Sequence, residues 1–510
     1  MFKHIASNWS RILLQILVML LLTPILVGKL GNDGYGIWTT VIAATLILEQ
    51  LALGVPLASV RHISEAITAK DTALANRMIA TGYGVTIALG LVGLVLGAVL
   101  FVPFERGLVE SETWQDTPAK LLDGARLAYI ITAVRVAAGL ALRFPNAVFD
   151  AHRDFVTSNA IQIGGILFRV LAVLGVLYTS PSLEGIAWVF VVEAIGVFLA
   201  FRFFIHRRFP GIRFGLADFD RGSVRAILSF GILGAVLNIG TMIAYQFDGL
   251  VIARMLGPEF VTDFEMGNKF FLQLAALMYG VGAVVMPEAT RLRGEGDERA
   301  LEHVYLKWSK VSFSVVLPIC LYLTVLGPGF LMAWLGDSYR DSMGVVTRIL
   351  APSFAVALPV RAVALPILLG TSEPGRPAAV YLVLAFGNLA LSILLVSLGY
   401  GLVGVALGTA IPQIIFAAYL LIVTSLQLST SVLGWLRYVA LRALLGAVPC
   451  AALLLWFEHG LEVEGFGQLV GAGVAMLALF AVVWTLFVYR GDPFIDVRAE
   501  LAEKFGRRGA

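Results

Sequence analysis

The sequence predicts an all-α polytopic membrane protein with about fourteen transmembrane helices. Three observations point there. Of 510 residues, 59% are hydrophobic and only 14% charged, and the mean hydropathy is +0.88. Soluble domains are about 45–50% apolar and about 25% charged, so a soluble enzyme is excluded. The apolar residues gather into runs of about 20, the length a helix needs to cross the hydrocarbon layer. Most charges fall between those runs.

Taken in order, the first run, 9–28, is too long for a signal-peptide core and no small-residue cleavage site follows it. It reads as a retained span. The next five are 36–59, 79–102, 124–147, 157–179 and 184–205. A second set follows at 226–252, 262–286, 309–334, 344–369, 378–398 and 402–425. Runs 439–458 and 466–489 complete the series. No segment between them exceeds about 25 residues, too few for a soluble domain. Pro24, Pro287, Pro318, Pro352, Pro359, Pro366 and Pro412 lie within or at the ends of runs. Each removes a helical hydrogen bond and favours a bend. Gly93-x-x-x-Gly97 and Gly404-x-x-x-Gly408 suit close helix packing inside each half.

Orientation follows from Lys and Arg in alternate loops. The N-terminus, 60–78, 206–225, 287–308 and the C-terminal tail are rich in basic residues; the opposite set is poor, and its loop 103–120 is acidic. Both termini are therefore expected on the cytoplasmic side. The formal net charge of +3 is too small to suggest nucleic acid. The most basic inner segment follows the sixth run, where two halves would join. The end of run one reads Leu26-Val27-Gly28-Lys29-Leu30-Gly31, then Tyr35-Gly36. The end of run seven reads Val251-Ile252-Ala253-Arg254-Met255-Leu256-Gly257, then Phe260. Two parallel six-span repeats are expected, with Gly31 and Gly257 at left-handed helix ends. The expected divisions are an N-terminal lobe at 1–206, a linker at 207–225 and a C-terminal lobe at 226–426. Two extra spans at 427–490 and a tail at 491–510 follow.

Charges inside spans cost free energy and usually face a cavity or a partner. The set is Glu49, Arg135, Arg143, Arg169, Glu193, Asp248, Glu265, Lys269 and Arg361. Several must share a polar interior. Arg169 with Glu193 could equally be a structural ion pair, and Arg143 could snorkel to the surface. Arg135 and Arg361 lie deeper, with no acid within a turn on their own helices, and are the candidates for cavity lining. Asp248 and Glu49 could couple transport to an ion, or Asp248 could bridge to Lys269. Cys320 and Cys450 stand far apart in apolar runs, and the six histidines form no cluster. No metal or other cofactor is expected. No G-x-x-x-x-G-K-[ST], H-E-x-x-H or G-x-S-x-G motif is present, and the chain is expected not to be an enzyme.

Asn8, Pro24-Ile25-Leu26, Leu30-Gly31, Tyr35-Gly36, Leu53-Gly54 and Arg61, with Asp248, Leu256-Gly257 and Asn268-Lys269 in the second half, give the chain a family likeness. It resembles the multidrug/oligosaccharidyl-lipid/polysaccharide (MOP) exporter superfamily, and within it the Wzx-type polysaccharide flippases, also called polysaccharide biosynthesis proteins. The resemblance implies two six-helix lobes around a central cavity, here with two extra C-terminal helices, in a bacterial inner membrane. It implies an undecaprenyl-diphosphate-linked oligosaccharide as substrate, with membrane lipids and other polysaccharide-assembly membrane proteins as partners. Arg, with its planar fork, suits a diphosphate. Arg135, Arg143, Arg169, Lys269 and Arg361 are then the candidate substrate-binding cations, and Glu49, Glu193 and Asp248 the candidate ion-coupling or cavity carboxylates. A cation-coupled multidrug antiporter and a non-transporting scaffold of a secretion complex are the alternatives.

Overall fold

A computed structural model describes residues 2–52, 54–229, 232–371, 375–461 and 463–494. The described chain is helical, without strands, and divides into two compact units, Met1–Thr262 and Asp263–Ala510. Twelve stretches are long and apolar enough to cross a membrane. They cover thirteen of the fourteen expected runs: 9–28 and 36–59 fall in one 55-residue stretch, Leu14–Thr68, and 226–252 is not among the twelve. The tail beyond Phe494 lies outside the described residues.

The first unit holds α1 (Phe2–Leu46), α2 (Val55–Thr68), α3 (Thr72–Phe104), α4 (Ala119–Leu142), α5 (Pro145–Ala151), α6 (Phe155–Thr179), α7 (Leu183–Arg208), α8 (Arg221–Ser229) and α9 (Ile232–Met255). It also takes the first turn of α10 (Pro258–Glu295). A straight 55-residue helix would be about 80 Å long, far more than one crossing needs. Gly31 breaks it with φ 72° and ψ 171°, a conformation open essentially to glycine alone. A 3₁₀ turn over Ile47–Ala52 and Gly54 at φ 72° break it again before Pro56 enters α2. Gly257, with φ 123°, ends the matching segment after α9; both Leu-Gly turns have a positive φ, but Gly31, with ψ 171°, is extended instead of adopting the left-handed helical cap expected.

Tyr35-Gly36 has a packing reason. A Cβ on Gly36 would stand 1.7 Å from the Pro258 carbonyl oxygen, where the start of α10 crosses α1 and Thr262 Oγ1 donates to Asn32 O at 2.6 Å. Gly36→Ala should therefore destabilise by about 3 kcal/mol or more. Gly28→Ala, whose Cβ meets nothing within 4 Å, should be neutral or better. Thermal unfolding of the two variants in detergent checks the contrast.

The Gly-x-x-x-Gly pairs pack within their units. Cβ atoms on Gly93 and Gly97 would sit 3.2 and 3.3 Å from Ala137 and Ala133 of α4, respectively. The acidic 103–120 segment is ordered: fully buried Trp114 donates from Nε1 to Ala253 O at 2.8 Å, and Arg126 clasps Glu105 at 2.8 Å. The 207–225 segment folds back onto the same unit, where Asn76 donates to Gly211 O at 3.0 Å and accepts from the Arg213 N–H at 2.9 Å.

The second unit continues along α10 and adds α11 (Glu298–Val325), α12 (Gly327–Leu335), α13 (Asp341–Thr371), α14 (Gly375–Ser397) and α15 (Gly401–Gln427). The extra C-terminal segment comprises α16 (Val432–Trp435), α17 (Arg442–His459) and α18 (Phe466–Val483). A Cβ on Gly408 would lie 2.2 Å from Ser392 Oγ, so α15 and α14 are in close contact. Pro352, Pro359 and Pro366 all sit inside α13. Helices α17 and α18 join α11 and its neighbours through Leu326, Cys450, Leu454, Leu469 and Met476.

Candidate functional site: a charge cluster in the first unit

Five of the sequence-predicted residues converge in the first unit. Arg135 and Arg143 lie eight residues apart on α4, close to one stripe of the helix. Arg143, at the C-terminal cap, reaches Glu49 on the 3₁₀ turn at 3.1 Å. Arg169 on α6 pairs with Glu193 on α7 at 3.3 Å. Phe190, one turn before Glu193 on the same face, forms a shelf for two cations. The Arg135 guanidinium is 5.4 Å from its ring centre and that of Arg169 is 5.2 Å. Trp38 of α1 backs the shelf at 5.6 Å.

The charges do not cancel. The cluster has three arginines and two glutamates, and each glutamate holds one arginine. Among the described residues no carboxylate forms an ion pair with Arg135, yet it feels the fields of Arg143, Glu49, Glu193 and Arg169. A surplus charge away from water is costly unless it is compensated. Here it is half-buried and rests on a ring, a contact worth about 0.5–2 kcal/mol. The site can therefore accept an anion at Arg135 without first breaking a salt bridge.

The pairs differ in exposure, which gives a test. Glu193 and Arg169 are 15% and 27% exposed, whereas Arg143 is 63% exposed. Glu193→Gln should destabilise by about 1–3 kcal/mol, and Glu49→Gln by less than about 1 kcal/mol. Equal losses in thermal unfolding would contradict this ranking.

Asp248 is buried on α9. Glu265 and Lys269 lie one turn apart on α10 and interact electrostatically. Arg361 on α13 stands over Tyr381 of α14 at 4.4 Å and reaches Tyr279 of α10 at 6.0 Å. Both deep arginines thus rest on aromatic rings, one in each unit. The aromatic partners left no signal in the sequence, because Phe190, Trp38 and Tyr381 sit in apolar runs like any lipid-facing residue.

A second charged centre was also missed. Lys310 of α11, fully buried, pairs with the equally buried Asp492 beyond α18. The Lys310 ammonium donates to Val488 O at 3.0 Å and lies over Tyr438 at 4.4 Å. Tyr438 donates to the Asp492 carboxylate at 2.8 Å. Burial opposes the Asp492 charge, but hydrogen bonds from Lys310, the Phe494 N–H and Tyr438 outweigh it and hold the carboxyl below its ordinary range. Lys310 lies at the edge of an apolar run and Asp492 in what reads as a tail, so nothing local links them. Among the described residues, no group of three or more His, Cys, Asp or Glu could hold a metal.

Known proteins resemble the chain in sequence and in fold. The sequence profile of a family described as "Polysaccharide biosynthesis protein" matches residues 117–344. The membrane protein EpsK of Bacillus subtilis (strain 168), itself uncharacterized, is 24% identical over 94% of both chains. A protein of Shigella flexneri named for O-antigen transport is 20% identical over 77% of this chain and 90% of its own. Among solved structures, an inward-facing MATE-family multidrug transporter of the MOP superfamily aligns with a TM-score of 0.68. It is 15% identical and the alignment covers 80% of this chain and 93% of that one. At that identity the likeness is one of fold.

Proposed function

We propose that this chain is a polysaccharide biosynthesis protein of the MOP exporter superfamily and, within it, a lipid-linked oligosaccharide flippase. It would move an undecaprenyl-diphosphate-linked oligosaccharide from the cytoplasmic to the outer leaflet of a bacterial inner membrane, supplying cell-surface polysaccharide. The observation that carries this reading is Arg135, outside both ion pairs of the cluster and set on its aromatic shelf, in a chain that matches a polysaccharide biosynthesis family model and a relative named for O-antigen transport. A guanidinium with unspent donors suits a diphosphate oxygen. Lobes 1–206 and 226–426 would expose the site to each side in turn. An anion moving outward through a negative-inside potential descends about 2.3 kcal/mol per charge per 100 mV. A pocket for cationic drugs should instead carry surplus negative charge, and this cluster carries surplus positive.

The test is deletion of the gene with separate measurement of lipid-linked saccharide and surface glycan. The expected result is accumulation of intermediate in the cytoplasmic leaflet, loss of surface glycan and recovery on complementation. Normal lipid-linked pools with increased sensitivity to cationic dyes would replace the flippase with an antiporter. Lost glycan with no leaflet imbalance would leave a scaffold.

A further inference from the structure

Helices α6 and α7 do not close on each other along their whole length. A groove of about 490 Å³ runs between them, lined almost entirely by apolar atoms. Its floor is made by Ala160 and Gly164 of α6 and by Gly196 and Ala200 of α7; Phe204 lies at one end and Glu193 at the other. Two kinds of glycine meet here. A Cβ on Gly165 would stand 2.6 Å from Val197, so that glycine is needed for helix contact. Gly164 and Gly196 have nothing within 4 Å of a Cβ. Neither has a positive φ, and glycine is the poorest helix former after proline. Packing and backbone give no reason for them; what they keep is open space.

The groove changes character along its length. Its lining includes exposed Phe168 and Val192 on two membrane-spanning helices, so it opens toward hydrocarbon. From Thr157 to Phe168 it spans about 16 Å, roughly half the ~30 Å apolar layer. Its deep end meets Glu193, whose partner Arg169 shares the Phe190 ring with Arg135. The trough ends on the Glu193 carboxylate, and the surplus positive charge lies just beyond it, past Arg169 and the Phe190 ring, at Arg135; an apolar trough beside that cation suits a ligand with a hydrocarbon chain and an anionic head.

We infer that the α6–α7 groove is the seat of the polyprenyl chain of the lipid-linked substrate, held while the diphosphate lies at Arg135. This inference rests on the flippase reading above and adds a tail site to its head-group site. The chain lies along Gly164 and Gly196, and their missing side chains set the groove's width. A two-chain phospholipid would leave one chain outside the groove and bind less well.

The test uses the full chain in lipid nanodiscs and undecaprenyl diphosphate carrying a diazirine near the head-group end of its chain. Photolabelled residues are mapped by mass spectrometry. Labelling is expected at Phe168, Val192 and neighbouring groove residues. It should fall about tenfold in Gly196→Leu or Gly164→Leu, each equal to the loss of a few buried methylenes. It should survive an excess of phosphatidylglycerol. Gly196→Ala, whose Cβ meets nothing, serves as the folded companion and should label at an intermediate level. Undiminished groove labelling in both leucine variants, or equal competition by phosphatidylglycerol, overturns the inference. Labelling only outside the groove overturns it while sparing the flippase reading. No labelling anywhere in a normally folded protein overturns both.

Discussion

Arg135→Ala should abolish most glycan export while leaving the protein folded and in the membrane. Arg135 is the cation of the cluster that forms no ion pair among the described residues. Removing it deletes no ion pair, so the fold loses one cation–π contact and the burden of a surplus charge, and stability should change by less than about 1 kcal/mol. The substrate would lose far more. A charged hydrogen bond is worth about 1.5–3 kcal/mol, so head-group binding should weaken about 10–100-fold. Surface glycan in a complemented deletion strain, with protein level measured in parallel, checks this. Arg135→Lys should recover part of the activity, because it restores charge but not the planar fork. Full export by Arg135→Ala at normal protein level would remove Arg135 from the site.

Asp492→Ala should be strongly destabilising. It leaves the Lys310 ammonium fully buried with the Val488 carbonyl and aromatic faces as its remaining partners. Breaking a buried pair from one side costs about 3–5 kcal/mol. The double variant Lys310→Met/Asp492→Leu removes both charges and should recover most of that loss. A double-variant midpoint no higher than that of Asp492→Ala would refute the charge argument. The pH dependence has a defined sign. Asp492 titrates below its ordinary range when folded, so its contribution is complete above the unfolded carboxyl pKa of about 3.9. It fades as pH falls through the lower folded value. Near neutral pH it gives no slope.

The membrane-spanning helices were legible because a bilayer imposes a length and an apolar composition on each of them. The Leu-Gly turns at Gly31 and Gly257 were legible for a different reason: a positive φ leaves glycine as the usual choice, and both adopt one. The charged residues were legible as a set but not as pairs. Ion pairing of Arg169 with Glu193 was foreseen as an alternative, and it is the arrangement found. For Arg143 the sequence offered snorkelling; its guanidinium is largely exposed but holds Glu49 across a helix boundary. The 3₁₀ turn that places Glu49 leaves no periodicity to read. Phe190 and Lys310–Asp492 were illegible because their meaning is tertiary: one is an aromatic among many, the other a pair 182 positions apart.

That separation bears on how the chain is made. Helix α11 enters the membrane long before Asp492 exists. At about 5–20 residues per second, the 182 positions between Lys310 and its partner take roughly 10–40 s to synthesise. For that interval the ammonium must be sheltered by water, by lipid phosphates or by the insertion machinery. The second unit therefore completes its interior only when the last spans arrive, and a chain that stops before them is left with a stranded cation inside an otherwise finished helix bundle.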